Sequence, residues 1–197
     1  MKSFFIVVGI ILLVGFVMAA FVKKNLSNTE TLEYEVVKVY DEFEIRRYAP
    51  ALYSSVKFSS NSYKQISSQG FQTLAGYIFG GNEKKEQIAM TSPVTMEIND
   101  TSKMMFMVPK SMNRADLPKP NNQSIYFEEY PERIVAAVRF GGWANDETIT
   151  QLSKQLMESL AKEKISHTGE FAFLGYNAPF DVVNRRNEVI VEVTWEN

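Results

Sequence analysis

Tyr48-Ala-Pro-Ala-Leu-Tyr-Ser-Ser-Val-Lys-Phe58 and Tyr130-Pro-Glu-Arg-Ile-Val-Ala-Ala-Val-Arg-Phe140 align without a gap. Each tract opens on a tyrosine, carries two small residues in its middle and closes on Val, a basic residue and Phe. Each then leads into a segment with helical spacing. Beyond those segments, Ala89-Met-Thr-Ser-Pro93 is set opposite Gly175-Tyr-Asn-Ala-Pro179, and the strand-rich stretches 103–108 and 187–193 follow. The offset between copies changes across the helical regions, where insertions are best tolerated. Self-similarity in one element order marks a duplicated strand–helix–strand–strand unit. Repeat one covers about 34–110 and repeat two about 124–197. Neither copy can bury its sheet face alone, so the two should close around a shared core.

Outward from these tracts, short runs rich in Val, Ile, Phe and Tyr read as strands at 34–40, 43–48, 51–58, 94–99, 104–108, 124–129, 133–140, 171–175 and 187–195. Tyr63, Ile66, Gly70, Leu74 and Tyr77 fall on one helical stripe, widened by Phe71 and Ile78. Ser62 with Gln65 offers a capping box for that helix, and Gly80–Gly81 a stop. A second helix is expected over 146–164, with Ile149, Leu152, Leu156 and Leu160 inward and Asn145 or Asp146 as N-cap. The fold class is therefore α+β, with two helices and short strands in two pseudo-symmetric strand–helix–strand–strand repeats.

The composition limits the chemistry. With 45% hydrophobic and 22% charged residues, the chain can build an ordinary core. A net charge of −2 argues against a nucleic-acid partner, which needs a basic face. The absence of cysteine excludes disulfides, iron–sulfur clusters and thiolate nucleophiles. A single histidine, His167, excludes metal sites built on several. Phe4–Val22 carries no charge, lacks a polar stripe and would span about 28 Å as a helix. Residues 1–22 thus read as a transmembrane anchor through 4–22 or as a cleaved signal segment. The protein would then be membrane-anchored, or exported if the segment is removed. Residues 23–33 form a polar linker, and 34–197 the folded domain.

Five tracts carry a resemblance to a known family: Tyr34–Tyr48 (YEVVKVYDEFEIRRY), Asn82–Thr95 with its Ile-Ala-Met-Thr-Ser-Pro-Val, Leu117–Pro120, Val138–Gly142 and Arg185–Val189. In this order they resemble the SOUL haem-binding proteins. The resemblance implies that the strands form a distorted antiparallel β-barrel with internal pseudo-twofold symmetry, also similar to the bacterial effector-binding fold. It implies that haem or another tetrapyrrole binds reversibly in a shallow apolar site beside the first helix. Carried over, the helix wall would be Phe71, Leu74, Ala75 and Ile78, faced by Phe180, Val182 and Val183, with Arg185 and Arg186 beside them. Arg47 stands where one branch places a proposed axial histidine. Ser68 and Gly76 stand where another has basic residues facing the propionates, and Lys64 has a more exposed phase.

Each of these residues also has a plainer reading. The helix stripe can be core packing, and Arg185–Arg186 can pair with carboxylates such as Glu42 or Glu44 instead of a ligand. His167, just past the second helix, could be an axial ligand or a cation at a helix end. The methionines at 90, 96, 104, 105 and 107 suit core filling better than ligation. Trp143 and Tyr176 fit a pocket rim or the core. No structural metal and no catalytic constellation is legible, so a binding protein is expected rather than an enzyme. A protein-interaction module with a vestigial pocket, and an enzyme acting on a small ligand in the same cavity, are the alternatives.

Overall fold

Alternation along the strands sets the architecture. On β10 (Ser166–Gly175), Phe173 packs with the core that includes helix residues, while Ala172 and Leu174 join a second cluster on the opposite face. On β11 (Asn187–Thr194), Val189, Val191 and Val193 take the first face and Ile190 the second. Such strands are buried on both sides, which is why Val189-Ile190-Val191 at the middle of β11 is apolar without alternation.

The other strands are β1 (Glu30–Thr31), β2 (Tyr34–Val39), β3 (Glu44–Tyr48), β4 (Ala51–Phe58), β5 (Thr91–Ser92), β6 (Val94–Glu97), β7 (Ser102–Met107), β8 (Ile125–Tyr130) and β9 (Arg133–Phe140). The helices are α1 (Tyr63–Ile78) and α2 (Asp146–Lys162). This computed structural model describes residues 29–60, 62–99, 101–178, 181 and 183–195. The chain divides into two units, Met1–Glu30 and Thr31–Asn197, and of the first only Thr29 and Glu30 are described. The expected bilayer segment 4–22 lies outside the described residues. Among the described residues no helix is long and apolar enough to cross a membrane.

Nine antiparallel strands form one curled sheet, a half-barrel, in the order β2-β3-β9-β11-β10-β6-β7-β4-β8. The run β3-β9-β11-β10 is matched from the other end by β8-β4-β7-β6, as a duplication requires. The repeats exchange their first strands: β3 pairs with β9, and β8 pairs with β4. At the centre, β6 meets β10 and Met96 faces Phe173. One expected correspondence fails. Ala89–Pro93 precedes β6 whereas Gly175–Pro179 begins where β10 ends, because β10 is long and bulged between His167 and Phe171. The two tracts are neighbours, not equivalents: the Ser92 hydroxyl donates to the Tyr176 carbonyl at 3.2 Å.

Equivalent positions carry opposite charges. Arg46 lies opposite Val135 as Glu128 lies opposite Tyr53; Glu188 lies opposite Arg139 as Lys103 lies opposite Lys57. Thus Arg46 donates to Glu188 at 2.8 Å in one half, and Lys103 to Glu128 at 3.2 Å in the other. Burial disfavours the charge on Arg46, but the adjoining Glu188 carboxylate outweighs it and raises the guanidinium pKa.

Helix α1 buries Ile66, Leu74, Tyr77 and Ile78 against the sheet. Each aliphatic side chain so buried is worth about 1.5–3 kcal/mol. Close approach to β7 requires Gly70, where a Cβ would sit 2.9 Å from Met104 Sδ. The capping box is not formed, since the Ser62 side chain makes no cap bond. Asp146 caps α1 instead, its carboxylate accepting from Tyr63 N–H at 2.5 Å, while Asn145 caps α2 by accepting from Thr148 N–H at 2.8 Å. Both helix N-termini therefore meet at one two-residue cap.

Candidate functional site

Where α1 leaves the sheet near its N-terminal half, a cleft of about 350 Å³ opens. The helix supplies Tyr63, Ser67, Ser68, Phe71 and Gln72 as one wall. Val94, Met96, Met104, Phe173 and Gly175 from β6, β7 and β10 form the floor. Trp143, Asn177, Arg185 and Asn187 close the far side. The aromatic rings brace one another: Tyr63 meets Phe173 edge-on at 5.2 Å between centroids, and Phe71 meets Phe106 at 5.4 Å. The result is a mostly apolar slot with a polar rim, at the small end of the range for ligand sites.

Arg185 is the cation of that rim. Its guanidinium lies 4.3 Å over the Trp143 ring, and Nη1 donates to the carbonyls of Ala178 and Asp181 at 3.1 and 2.6 Å. Its Nε is buried with no partner. A buried guanidinium N–H without an acceptor is costly, and a ligand carboxylate would satisfy it. Burial raises the pKa of the Tyr63 phenol above its usual value, against the opposing pull of the Arg185 charge. Tyr63 is therefore a protonated donor at neutral pH. Asn187 Nδ2 donates to Gly142 O at 2.9 Å, which ties the two rim loops together, and Asn177 Oδ1 accepts from Arg186 N–H at 2.6 Å across the base of the β10–β11 connection.

The expected site residues separate into groups. Phe71 and Arg185 line the cleft. Leu74, Ala75 and Ile78 do not: they are buried in the core, because the helix presents its apolar stripe to the sheet and meets the cleft only along the edge of that stripe. Val183 is 71% exposed and outside the lining, and Phe180 and Val182 lie outside the described residues. Arg186 is structural. It binds Glu188 at 2.8 Å, and neither Glu42 nor Glu44 takes that place. Glu188 is fully buried and also accepts from Tyr176 Oη at 2.8 Å.

His167 is on β10, not at a helix end, and packs against Phe171 away from the cleft lining. Arg47 pairs at the surface with Glu35 and Glu132, Ser68 borders the cleft, and Gly76 is exposed. The Met96 and Met104 thioethers serve both core and cleft floor. Among the described residues no group of His, Cys, Asp and Glu could hold a metal ion by itself.

Sequence reasoning missed the polar helix flank and the Trp143–Arg185 stack. The expectations of a pocket rim at Trp143, of Arg185 beside the ligand and of Ser68 at a propionate-facing position pointed toward parts of them. A larger hollow of about 690 Å³ lies beside α2, but Lys57, Glu97, Lys103 and Glu170 stand in its walls. Those charges suit an apolar plate less well than the α1 cleft does.

The chain matches the family model described as SOUL heme-binding protein over residues 29–192. Heme-binding protein 2 of Homo sapiens is 32% identical over 161 residues, covering 75% of this chain and 76% of that protein. Heme-binding protein 2 of Mus musculus is 31% identical with the same coverage. Among solved structures, the C-terminal domain of EcmrR shares the fold with a TM-score of 0.60 at 10% identity, covering 83% of this chain and 99% of that one. With the duplicated half-barrel and the slot beside its first helix, these matches mean that the chain belongs to the SOUL haem-binding protein family.

Proposed function

We propose that this protein binds haem, or a tetrapyrrole of the same shape, in the cleft beside α1, and that residues 4–22 hold it at a membrane. The carrying observation is the pairing of an aromatic and methionine-lined slot with one half-buried arginine, Arg185, whose buried Nε lacks an acceptor. A flat apolar ring with a carboxylate at its edge meets both features. Phe71, Met96 and Phe173 would touch the macrocycle face, Trp143 would cover its outer side, and Arg185 would take a propionate. The bound group would supply its own redox or ligation chemistry, while Phe71, Met96, Phe173, Trp143 and Arg185 would orient it and exclude water from its inner face. The relatives named heme-binding protein support the ligand class, and the uncharged run 4–22 supports the tether.

Titration of the full chain with haem in detergent, followed by the Soret band and by tryptophan quenching, tests the reading. The wild type saturates. Arg185→Gln removes a charge-assisted bond of about 1.5–3 kcal/mol and weakens binding by about 10- to 100-fold. Phe71→Asp weakens it further by placing a charge on the apolar wall. A featureless titration of the wild type removes the proposal.

A further inference from the structure

Two loops at the rim of the cleft leave large apolar side chains in solvent. Trp143 is 60% exposed and Val183, two residues from Arg185, is 71% exposed. The loops are held as one lip by the Arg185–Trp143 stack and by the Asn187–Gly142 bond. We infer that this Trp143–Val183 lip docks on a lipid surface, so that the cleft opens toward the bilayer and exchanges its ligand with it. The inference deepens the proposed function and rests on its tether.

The position of the lip favours lipid over other occupants. Where the chain enters the folded unit, Leu32 N–H donates to Ser92 O at 2.9 Å. Ser92 in turn donates to Tyr176 O, and the next residue, Asn177, is a cleft wall. The entering chain and the cleft rim therefore share one end of the fold. Between Lys23 and Leu32 an extended chain of this length reaches about 30 Å at most, so the proposed anchor, if it ends at Val22, would limit Leu32 to about that distance from a membrane surface.

Tryptophan suits the headgroup boundary, where its ring is apolar and its N–H is wet. Two side chains are far short of the roughly 20–30 residues a side of a stable protein interface, but they suffice for shallow insertion beside a tether.

The test uses the full chain carrying Trp195→Phe, which leaves Trp143 as the sole tryptophan, with Trp143→Phe as a subtractive control. Both are reconstituted in phosphatidylcholine vesicles with plain or brominated acyl chains. Docking predicts blue-shifted Trp143 emission that bromine quenches. Val183→Asp should reduce the quenching and slow haem uptake from vesicles by about tenfold, the equivalent of burying one small apolar side chain. Its haem affinity in detergent should be unchanged. A chain that sediments with vesicles while Trp143 is unquenched overturns the docking and leaves the tether standing. A chain that does not sediment overturns both, and the detergent titration judges haem binding separately. Emission that depends on protein concentration instead of bromine assigns the lip to a second copy and also overturns the inference.

Discussion

Two glycines in one helix should respond to the same substitution with opposite signs. Alanine in place of glycine inside a helix gains about 0.5–1 kcal/mol from backbone entropy and propensity. At Gly70 the added Cβ would meet Met104 Sδ at 2.9 Å, its Cβ at 3.0 Å and its Cε at 3.2 Å. The sulfur could turn away, but the Met104 Cβ is fixed by β7, and the side chain is 1% exposed with little room to move. Overpacking of this kind costs about 1–3 kcal/mol, so Gly70→Ala should be net destabilising by roughly 1 kcal/mol. At Gly76 nothing lies within 4 Å of the new methyl, and the gain of up to about 1 kcal/mol stands alone. Urea unfolding of the full chain in a non-denaturing detergent, followed by far-ultraviolet circular dichroism, should move the midpoint down for one variant and up for the other at constant slope. If Gly70→Ala proves as stable as Gly76→Ala, α1 does not press on β7 as described. The floor of the cleft, which Met104 forms, would then be misplaced too.

Charge removal should separate buried from exposed pairs. Glu188→Gln removes one of the two carboxylates on the buried Arg46, Glu44 being the other, and the carboxylate of Arg186, and should cost up to about 3–5 kcal/mol, whereas Arg47→Ala, at the surface, should cost under about 1 kcal/mol. Comparable midpoints in thermal unfolding would contradict the assignment.

Alkaline pH should also destabilise the fold. Burial raises the pKa of Tyr48 and of Tyr77 to about 12, from an unfolded value of 10.0. The native state therefore holds these protons more tightly than the unfolded state. Their contribution is complete below pH 10 and is lost as pH rises toward 12, by about 1.4 kcal/mol per group per pH unit. The tyrosinate absorbance of these two phenols, read as the difference between the wild type and the Tyr48→Phe and Tyr77→Phe variants, should appear together with unfolding. Its appearance near the ordinary phenol range in a still-folded protein would refute the burial.

Much of this fold was legible because its signals are local. The Tyr48–Phe58 and Tyr130–Phe140 tracts became the equivalent strands β4 and β9 with their following helices, and the stripes of both helices face the sheet. Errors came where distant residues decide. The α1 cap comes from Asp146 rather than Ser62, a choice fixed only when the two helices meet. The bulge in β10 broke an alignment that looked sound as text. At the site, an apolar stripe can serve the core or a ligand, and the core took Leu74, Ala75 and Ile78. The cleft drew on the polar flank of the same helix, where Ser67 and Gln72 carry no periodic signal. Arg185 and Arg186 are neighbours of one type in the chain, yet one faces the cleft and the other is locked to Glu188.

Ligand-induced shifts in the nuclear magnetic resonance spectrum of the isotope-labelled full chain locate the ligand directly. On addition of haem, the signals of Arg185 Nε–H, the Trp143 indole, Phe71 and the Met104 methyl should change, and those of Lys57, Thr150 and Ser153 beside α2 should stay. Changes centred on the α2 hollow, with the Arg185 and Phe71 signals unmoved, would contradict the α1 cleft as the binding site.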